Sequence, residues 1–357
     1  MAESAGARRT RAHHARLRPG SLAPLVRQEE VPLTTSRDSE APRSAVPVAV
    51  EPADREVDVP ARVVALAARH GLAVEADALR LEEAGLDYRV AFARAADGVD
   101  WVLRIPRRPD AAAKRVAERR ILELVAPRLS VAVPRWQVCT EELIAYRRLP
   151  GAPGLTLDAR GEPVWHVEPS SAALAAALGR LIAELQSIDL DDARRAGVPA
   201  RTVGEVRARW RRDLERVGAE LEIAPALRAR WEAWLSDDAL WPEPAAFSHG
   251  ELYAAHVLVD ASVHIVGVLD WTTAEVGDPA IDFTYQHMMG SAAFEATVAA
   301  YLEAGGREHP HLAARCEALA AAAPLAYARF ALESGDPQHR ARAAAQLGAP
   351  SPSGAPG

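Results

Sequence analysis

The sequence has little sulfur, almost no lysine and no long apolar run. Its two cysteines, Cys139 and Cys316, lie far apart. That excludes a disulfide framework and a cysteine-based zinc site, and it makes a reducing cytoplasm the expected compartment. Nothing approaches the roughly 18 to 20 consecutive apolar residues of a membrane span. No apolar segment follows the paired Arg8 and Arg9, so an export signal is not expected either. Lys114 is the single lysine, so a functional cation is expected to be an arginine. Lys+Arg number 42 against 49 Asp+Glu, a formal net charge of -7. That balance lacks the basic stripe of a nucleic-acid binder and is compatible with a cationic or neutral small substrate.

What is present is a chain of 357 residues, 49% hydrophobic, enough for two domains or one large domain with tails. Residues 1–57 show neither helical nor strand periodicity and read as a disordered extension, as does the tail 348–357, "GAPSPSGAPG". From "VPARVVALAARHGL" an amphipathic helix is expected, with Gly71 as its stop. "YRVAFARAADGVDWVLRIP" reads as two strands around an Ala-Asp-Gly turn, closed by Pro106. A helix over 110–126 and two strands, "VPRWQVC" and "ELIAYRRL", complete a β-rich N-lobe spanning 58–150.

The remainder, 151–347, reads as an α-rich C-lobe. A long helix entered through Pro169 and Ser170 comes first, and "VGEVRARWRRDLERV" and "PALRARWEAWL" follow. A hairpin, "AFSHGELYAAHVLVDASVHIVGVLDW", interrupts them. Asp278 and Pro279 form an N-cap and first-position pair, so Asp278 is read as a cap and not as a catalyst.

The chemistry concentrates at 249–282. His249, Glu251, His256 and Asp270 stand at the ends of two short apolar segments, "VLV" and "IVGVL". A strand–turn–strand hairpin brings such ends to one rim. Taken singly, each residue could belong to an ordinary surface loop or a satisfied core. Taken together, they suit a divalent cation plus a general base, because Mg²⁺ needs few protein ligands and completes its shell with water and phosphate oxygens. A zinc deaminase would need a paired-cysteine segment, and a zinc protease a His-Glu-x-x-His; neither is present.

The arrangement His-Gly-acid, then His256, an apolar strand pair and Asp270-Trp271 resembles the aminoglycoside and macrolide phosphotransferases. A histidine at 256 is specifically similar to the macrolide 2'-phosphotransferases. "DWVLRIPRRPD", "ELIAYRRLPG", "RWEAWLSDDALWP", "LDWTTAEVGDPAIDF" and "FALESG" extend the resemblance over about residues 59–347. It implies an α+β, bilobal protein-kinase-like fold and transfer of a nucleotide γ-phosphate, from GTP or else ATP, to the 2'-hydroxyl of a macrolide, conferring resistance. The partners implied are these two small molecules and Mg²⁺, with no nucleic acid or membrane, and a monomer is expected.

By the same resemblance Glu251 takes the catalytic-base position, and His256 and Asp270 hold Mg²⁺. Arg104 occupies the place of the kinase strand lysine, with Glu118 as its ion-pair partner. The backbone of Ala145 and Tyr146 meets the nucleotide base. His249 and Asp282 support the catalytic loop. Three positions depart from the family pattern: Glu251 replaces aspartate, Ala255 replaces a glycine and Gln186 replaces a histidine. Restoring the shorter acid is therefore expected to raise kcat. Two alternatives stay open: a kinase-like phosphotransferase for another small hydroxyl compound, and a nucleotide-binding protein without turnover, suggested by Glu251.

Overall fold

Alternation of apolar side chains along 80–147 builds a five-stranded antiparallel sheet. In the computed structural model the described residues are 59–82, 88–107, 111–158, 162–243 and 246–348. The extension expected at 1–57 and the tail beyond Gly348 lie outside them. The sheet comprises β1 (Arg80–Glu82), β2 (Tyr88–Arg94), β3 (Asp100–Pro106), β4 (Trp136–Cys139) and β5 (Ile144–Arg147), in the order β1-β2-β3-β5-β4. Successive side chains point to opposite faces. Ala91, Leu103 and Ala145 therefore face helix α1 (Val59–Arg69), which contributes Val63 and Ala67. Val102, Ile144 and Tyr146 share the other face with Tyr88. Gly71, in the left-handed region at φ 78°, ends α1 where the sequence puts its stop.

Helix α2 (Ala111–Val125) joins this sheet to the rest of the molecule. Ile121, Leu122, Leu124 and Val125 enter the same core as Leu252, Val257, Val268 and Trp271. The helix that carries Glu118 is thus anchored beneath the loop that carries Glu251.

Three short strands follow β5 before the next helix. β6 (Ala152–Pro153) pairs with β10 (Val257–Val259), and β7 (Leu155–Leu157) pairs with β8 (Pro163–Trp165). Helix α3 (Ala172–Gln186) is capped by Ser171, one residue beyond the expected entry, whose hydroxyl accepts from the Leu174 amide. At Gly179 a Cβ would stand 2.3 Å from the Thr297 carbonyl oxygen, so the absent side chain lets α8 (Ser291–Glu303) approach α3 closely.

Helices α4 (Leu190–Arg195), α5 (Val203–Glu220) and α6 (Pro225–Ser236) lead to β9 (Ala246–Ser248). After β10 come β11 (Ile265–Val268) and β12 (Glu275–Gly277), then a 3-10 turn over Pro279–Phe283 that runs into α7 (Thr284–Met288). Helices α9 (Leu312–Ser334) and α10 (Pro337–Gly348) pack with α5 and α6 around Trp231 and Leu325. Among the described residues no helix is long and apolar enough to cross a membrane.

Candidate active site

Two antiparallel pairs frame the loop 249–256. β9 pairs with β12, so the chain entering the loop lies beside the chain that leads to Asp278 and Asp282. β10 pairs with β11, so the chain leaving the loop lies beside the chain that leads to Asp270. The loop is therefore held at both ends by segments that deliver carboxylates.

Asp282 is 1% exposed and accepts two backbone hydrogen bonds, from the His249 amide to Oδ2 and the Gly250 amide to Oδ1, each 2.9 Å. Burial raises its carboxyl to about 7, against the pull of the two amides. Gly250 has φ 86°, and a Cβ there would come within 2.3 Å of the Thr273 carbonyl oxygen. Only glycine fits this turn. Ala255, by contrast, is absent from the residues of positive φ, so a glycine is not required at that position. The turn in which Asp282 lies is itself braced. Asp278 accepts from the Ala280 amide at 2.8 Å and pairs with the buried Arg315. Gln186 at the end of α3 donates to the Pro279 carbonyl at 3.1 Å.

His249 is fully buried, with both ring nitrogens engaged. A carbonyl can only accept, so the 2.9 Å contact of Nε2 with Leu269 oxygen puts the proton on Nε2. Nδ1 then accepts from the Glu251 amide at 3.3 Å. Burial pushes the imidazole pKa down to about 4. His249 is a neutral clamp and does not move protons.

His256 uses its ring differently. Nδ1 contacts the Glu251 carbonyl oxygen at 2.9 Å, which places the proton there and leaves Nε2 as a lone-pair donor, 3.8 Å from Asp270 Oδ2. Asp270 adopts φ 59°, a left-handed conformation that aspartate tolerates better than most residues. The Thr272 hydroxyl donates to its Oδ1 at 2.7 Å. One nitrogen and one oxygen donor thus face each other at a separation that a cation can bridge. Among the described residues no group of three or more His, Cys, Asp or Glu is placed to hold a metal. Two protein donors fit Mg²⁺, which keeps several waters and takes phosphate oxygens.

Glu251 is 5% exposed, and Tyr285 lies on α7. Burial raises the carboxyl well above the usual range, Asp270 adds to the rise, and the Tyr285 hydroxyl opposes it. Tyr253, Ala254 and Leu155 form a small apolar cluster beside it, joined by Trp165 and Tyr285.

Arg104 projects from β3 on the Tyr88 face. Its Nη1 lies 2.6 Å from Glu118 Oε1, and its guanidinium sits 4.3 Å from the centroid of the Tyr88 ring. Burial works against the charge, but Glu118 outweighs it and holds the guanidinium protonated, with Asp270 near enough to add to the effect. Arg104, Glu118, Asp270, His256 and Glu251 therefore belong to one neighbourhood.

Ala145 and Tyr146 are placed differently from the sequence-based expectation of backbone contact with a base. Both lie in β5, between β3 and β4, so their peptide groups face ladder partners on both sides. Ala145 turns its side chain to α1, whereas Tyr146 turns to the face that holds Arg104. The chain leaves the sheet only beyond Arg147, where β5 ends. Sequence reading also missed Tyr253 and Tyr285. Their only signal was an aromatic inside an otherwise polar motif and another three residues after Asp282.

The phosphotransferase enzyme family (APH) matches residues 79–318. The crystal structure of macrolide 2'-phosphotransferase MphH from Brachybacterium faecium, an apoenzyme, superposes with a TM-score of 0.75 at 53% identity, covering 81% of this chain and 98% of that one. A macrolide 2'-phosphotransferase type I superposes with a TM-score of 0.76 at 38% identity, covering 81% and 97%. The uncharacterized protein YcbJ of Bacillus subtilis (strain 168) is 33% identical over 290 residues, 80% of this chain and 95% of that protein.

Proposed function

The chain belongs to the phosphotransferase enzyme family, and from that membership we propose that it moves the γ-phosphate of a nucleotide, GTP, to the 2'-hydroxyl of a macrolide and so confers resistance. The observation that carries the acceptor assignment is the 53% identity to MphH over nearly the whole of that protein. The kinase-like fold and the Arg104–Glu118 ion pair support the donor half of the reaction.

In this reading Arg104 neutralises the nucleotide phosphates, oriented by Glu118. His256 and Asp270 would hold Mg²⁺, which when bound supplies charge neutralisation on the phosphate oxygens. Glu251 orients the acceptor hydroxyl and takes its proton as the phosphate leaves the nucleotide. Asp282 fixes the backbone of 249–250 so that the acid and the phosphates keep an in-line geometry, since a misplacement of about 1 Å can cost about 100-fold in rate. Phosphoryl transfer asks mainly for positioning and charge stabilisation, and these residues offer both. The nucleotide base meets the connection after Arg147.

The test is a single-turnover assay with the full chain, Mg²⁺, erythromycin and either GTP or ATP, with the product identified by mass spectrometry. A macrolide monophosphate formed faster from GTP is the expected result. Phosphorylation of an aminoglycoside but of no 14- or 15-membered macrolide would overturn the acceptor, and faster transfer from ATP would overturn the donor.

A further inference from the structure

Gln186, the last residue of α3, stands at a junction of three segments. Its Nε2 donates to the Pro279 carbonyl at 3.1 Å. Its Oε1 accepts from the Tyr301 hydroxyl at 2.8 Å and lies 3.0 Å from His309 Nε2. An amide oxygen can only accept, so the His309 proton sits on Nε2 and is donated as well. Two donors thus converge on Oε1, and the end of the carboxamide that remains for Pro279 is the donating one. Tyr301 is fixed in turn. It is 1% exposed, and its hydroxyl oxygen accepts from the Arg307 amide at 3.0 Å. Its ring meets Phe283 edge-on, with centroids 5.0 Å apart and planes at 90°.

The turn Pro279–Phe283 is therefore held at its first residue by Gln186 and at its last by the Tyr301 ring. Asp282 lies between these holds, and its carboxyl carries the His249 and Gly250 amides. We propose that Gln186 is a positioning residue for phosphoryl transfer: its carboxamide, oriented by Tyr301 and His309, sets the turn that places Asp282 and, through the two amides, the backbone that leads into Glu251. The inference rests on the proposed role of Glu251 and deepens it. Gln186 touches neither substrate nor nucleotide in this arrangement. Its loss should slow the reaction and leave binding alone, whereas a residue serving only the fold would lower Tm and spare kcat.

The experiment compares Gln186→Glu and Tyr301→Phe with native protein, reading kcat, KM for GTP and erythromycin, and Tm. Glutamate leaves Tyr301 and His309 their acceptor and removes the donor to Pro279. Phenylalanine keeps the ring on Phe283, removes a single hydroxyl and frees the carboxamide to turn, so it tests the same link should Gln186→Glu fail to fold. In each variant kcat should fall about 10- to 100-fold, the scale of a displaced catalytic group, with both KM values unchanged. An unchanged kcat in either folded variant, or a KM for GTP that rises as kcat falls, overturns the proposal.

A readout that needs no substrate separates this result from failure of the macrolide reading. The His249 and Gly250 amides both donate to Asp282, so their hydrogen exchange reports the hold on the loop directly. Gln186→Glu should speed exchange at these two amides by about tenfold, the scale of one lost hydrogen bond, while the amides of α10 keep their native rates. Native exchange at 249 and 250 in the folded variant overturns the proposal even if no macrolide is ever phosphorylated.

Discussion

Arg104 Nη1 stands 2.6 Å from Glu118 Oε1, with the glutamate side chain only 1% exposed and its second oxygen, Oε2, without a hydrogen-bond partner among the described residues. The guanidinium is therefore held at one end, on the face of the sheet that also bears Tyr88 and Tyr146. Removing one partner of a buried pair leaves the other charge uncompensated, which costs about 3 to 5 kcal/mol. Glu118→Ala is expected to lose stability on that scale in urea unfolding, and to weaken nucleotide binding, because the arginine loses its orientation. Wild-type stability together with wild-type GTP affinity would show that the pair orients nothing.

A second expectation concerns acid. The buried His249 imidazole ionises near pH 4, whereas in the unfolded chain it takes its proton near 6.5. Between these values the unfolded state binds more protons than the folded one, so stability rises with pH across the window and is lost as pH falls through it. The slope attributable to one group is at most about 1.4 kcal/mol per pH unit. His249→Gln cannot titrate, so the pH dependence of its stability between 4 and 6.5 should be shallower than that of native protein by up to that amount. Parallel curves would show that the folded imidazole is protonated after all.

Asp270 offers a cleaner substitution than alanine. Its left-handed φ suits asparagine as well as aspartate, whereas alanine there would add roughly 1 to 2 kcal/mol of backbone strain. Asp270→Asn should keep the circular dichroism spectrum and Tm of native protein, yet lose phosphoryl transfer and the response of nucleotide affinity to Mg²⁺. Native turnover at limiting Mg²⁺ would remove Asp270 from the metal site.

At position 251 the sequence and the structure point in opposite directions. By the family pattern alone, Glu251→Asp is a restoration and is expected to be faster. The burial of Glu251, 5% exposed, reverses that sign, because its surroundings are packed around the longer acid. Shortening the side chain draws the carboxyl back by roughly 1 Å or more, and displacement on that scale costs up to about 100-fold. A slower Glu251→Asp variant is therefore expected in a steady-state assay. A faster one would return Glu251 to the status of an imperfect aspartate.

Much of this architecture could be read from local signals. Gly71 stops α1, Asp278 and Pro279 open the turn that leads into α7, and alternation marks β2 and β3. The rim that collects Glu251, His256 and Asp270 followed from two short apolar segments that had to pair. Local signals failed where the partner is remote. The β7–β8 hairpin begins its second strand at Pro163 and is too short for a period to show. "ELIAYRRL" reads as a strand, but nothing in it says that β3 and β4 flank it on both sides and so occupy the backbone of Ala145 and Tyr146. Tyr285 carries no periodic signal at all, since its stacking partner, Tyr253, lies in the loop before β10.

The guanidinium at position 104 also decides which covalent reagents this cleft resists. Amine-directed reagents need a nucleophile that can lose its proton, as a buried lysine does. An arginine stays protonated throughout the physiological range and does not become that nucleophile. The one lysine, Lys114, belongs to α2. On the proposed role of Arg104, amine-directed reagents should therefore pass over the phosphate site, and an inhibitor can be built on guanidinium recognition instead.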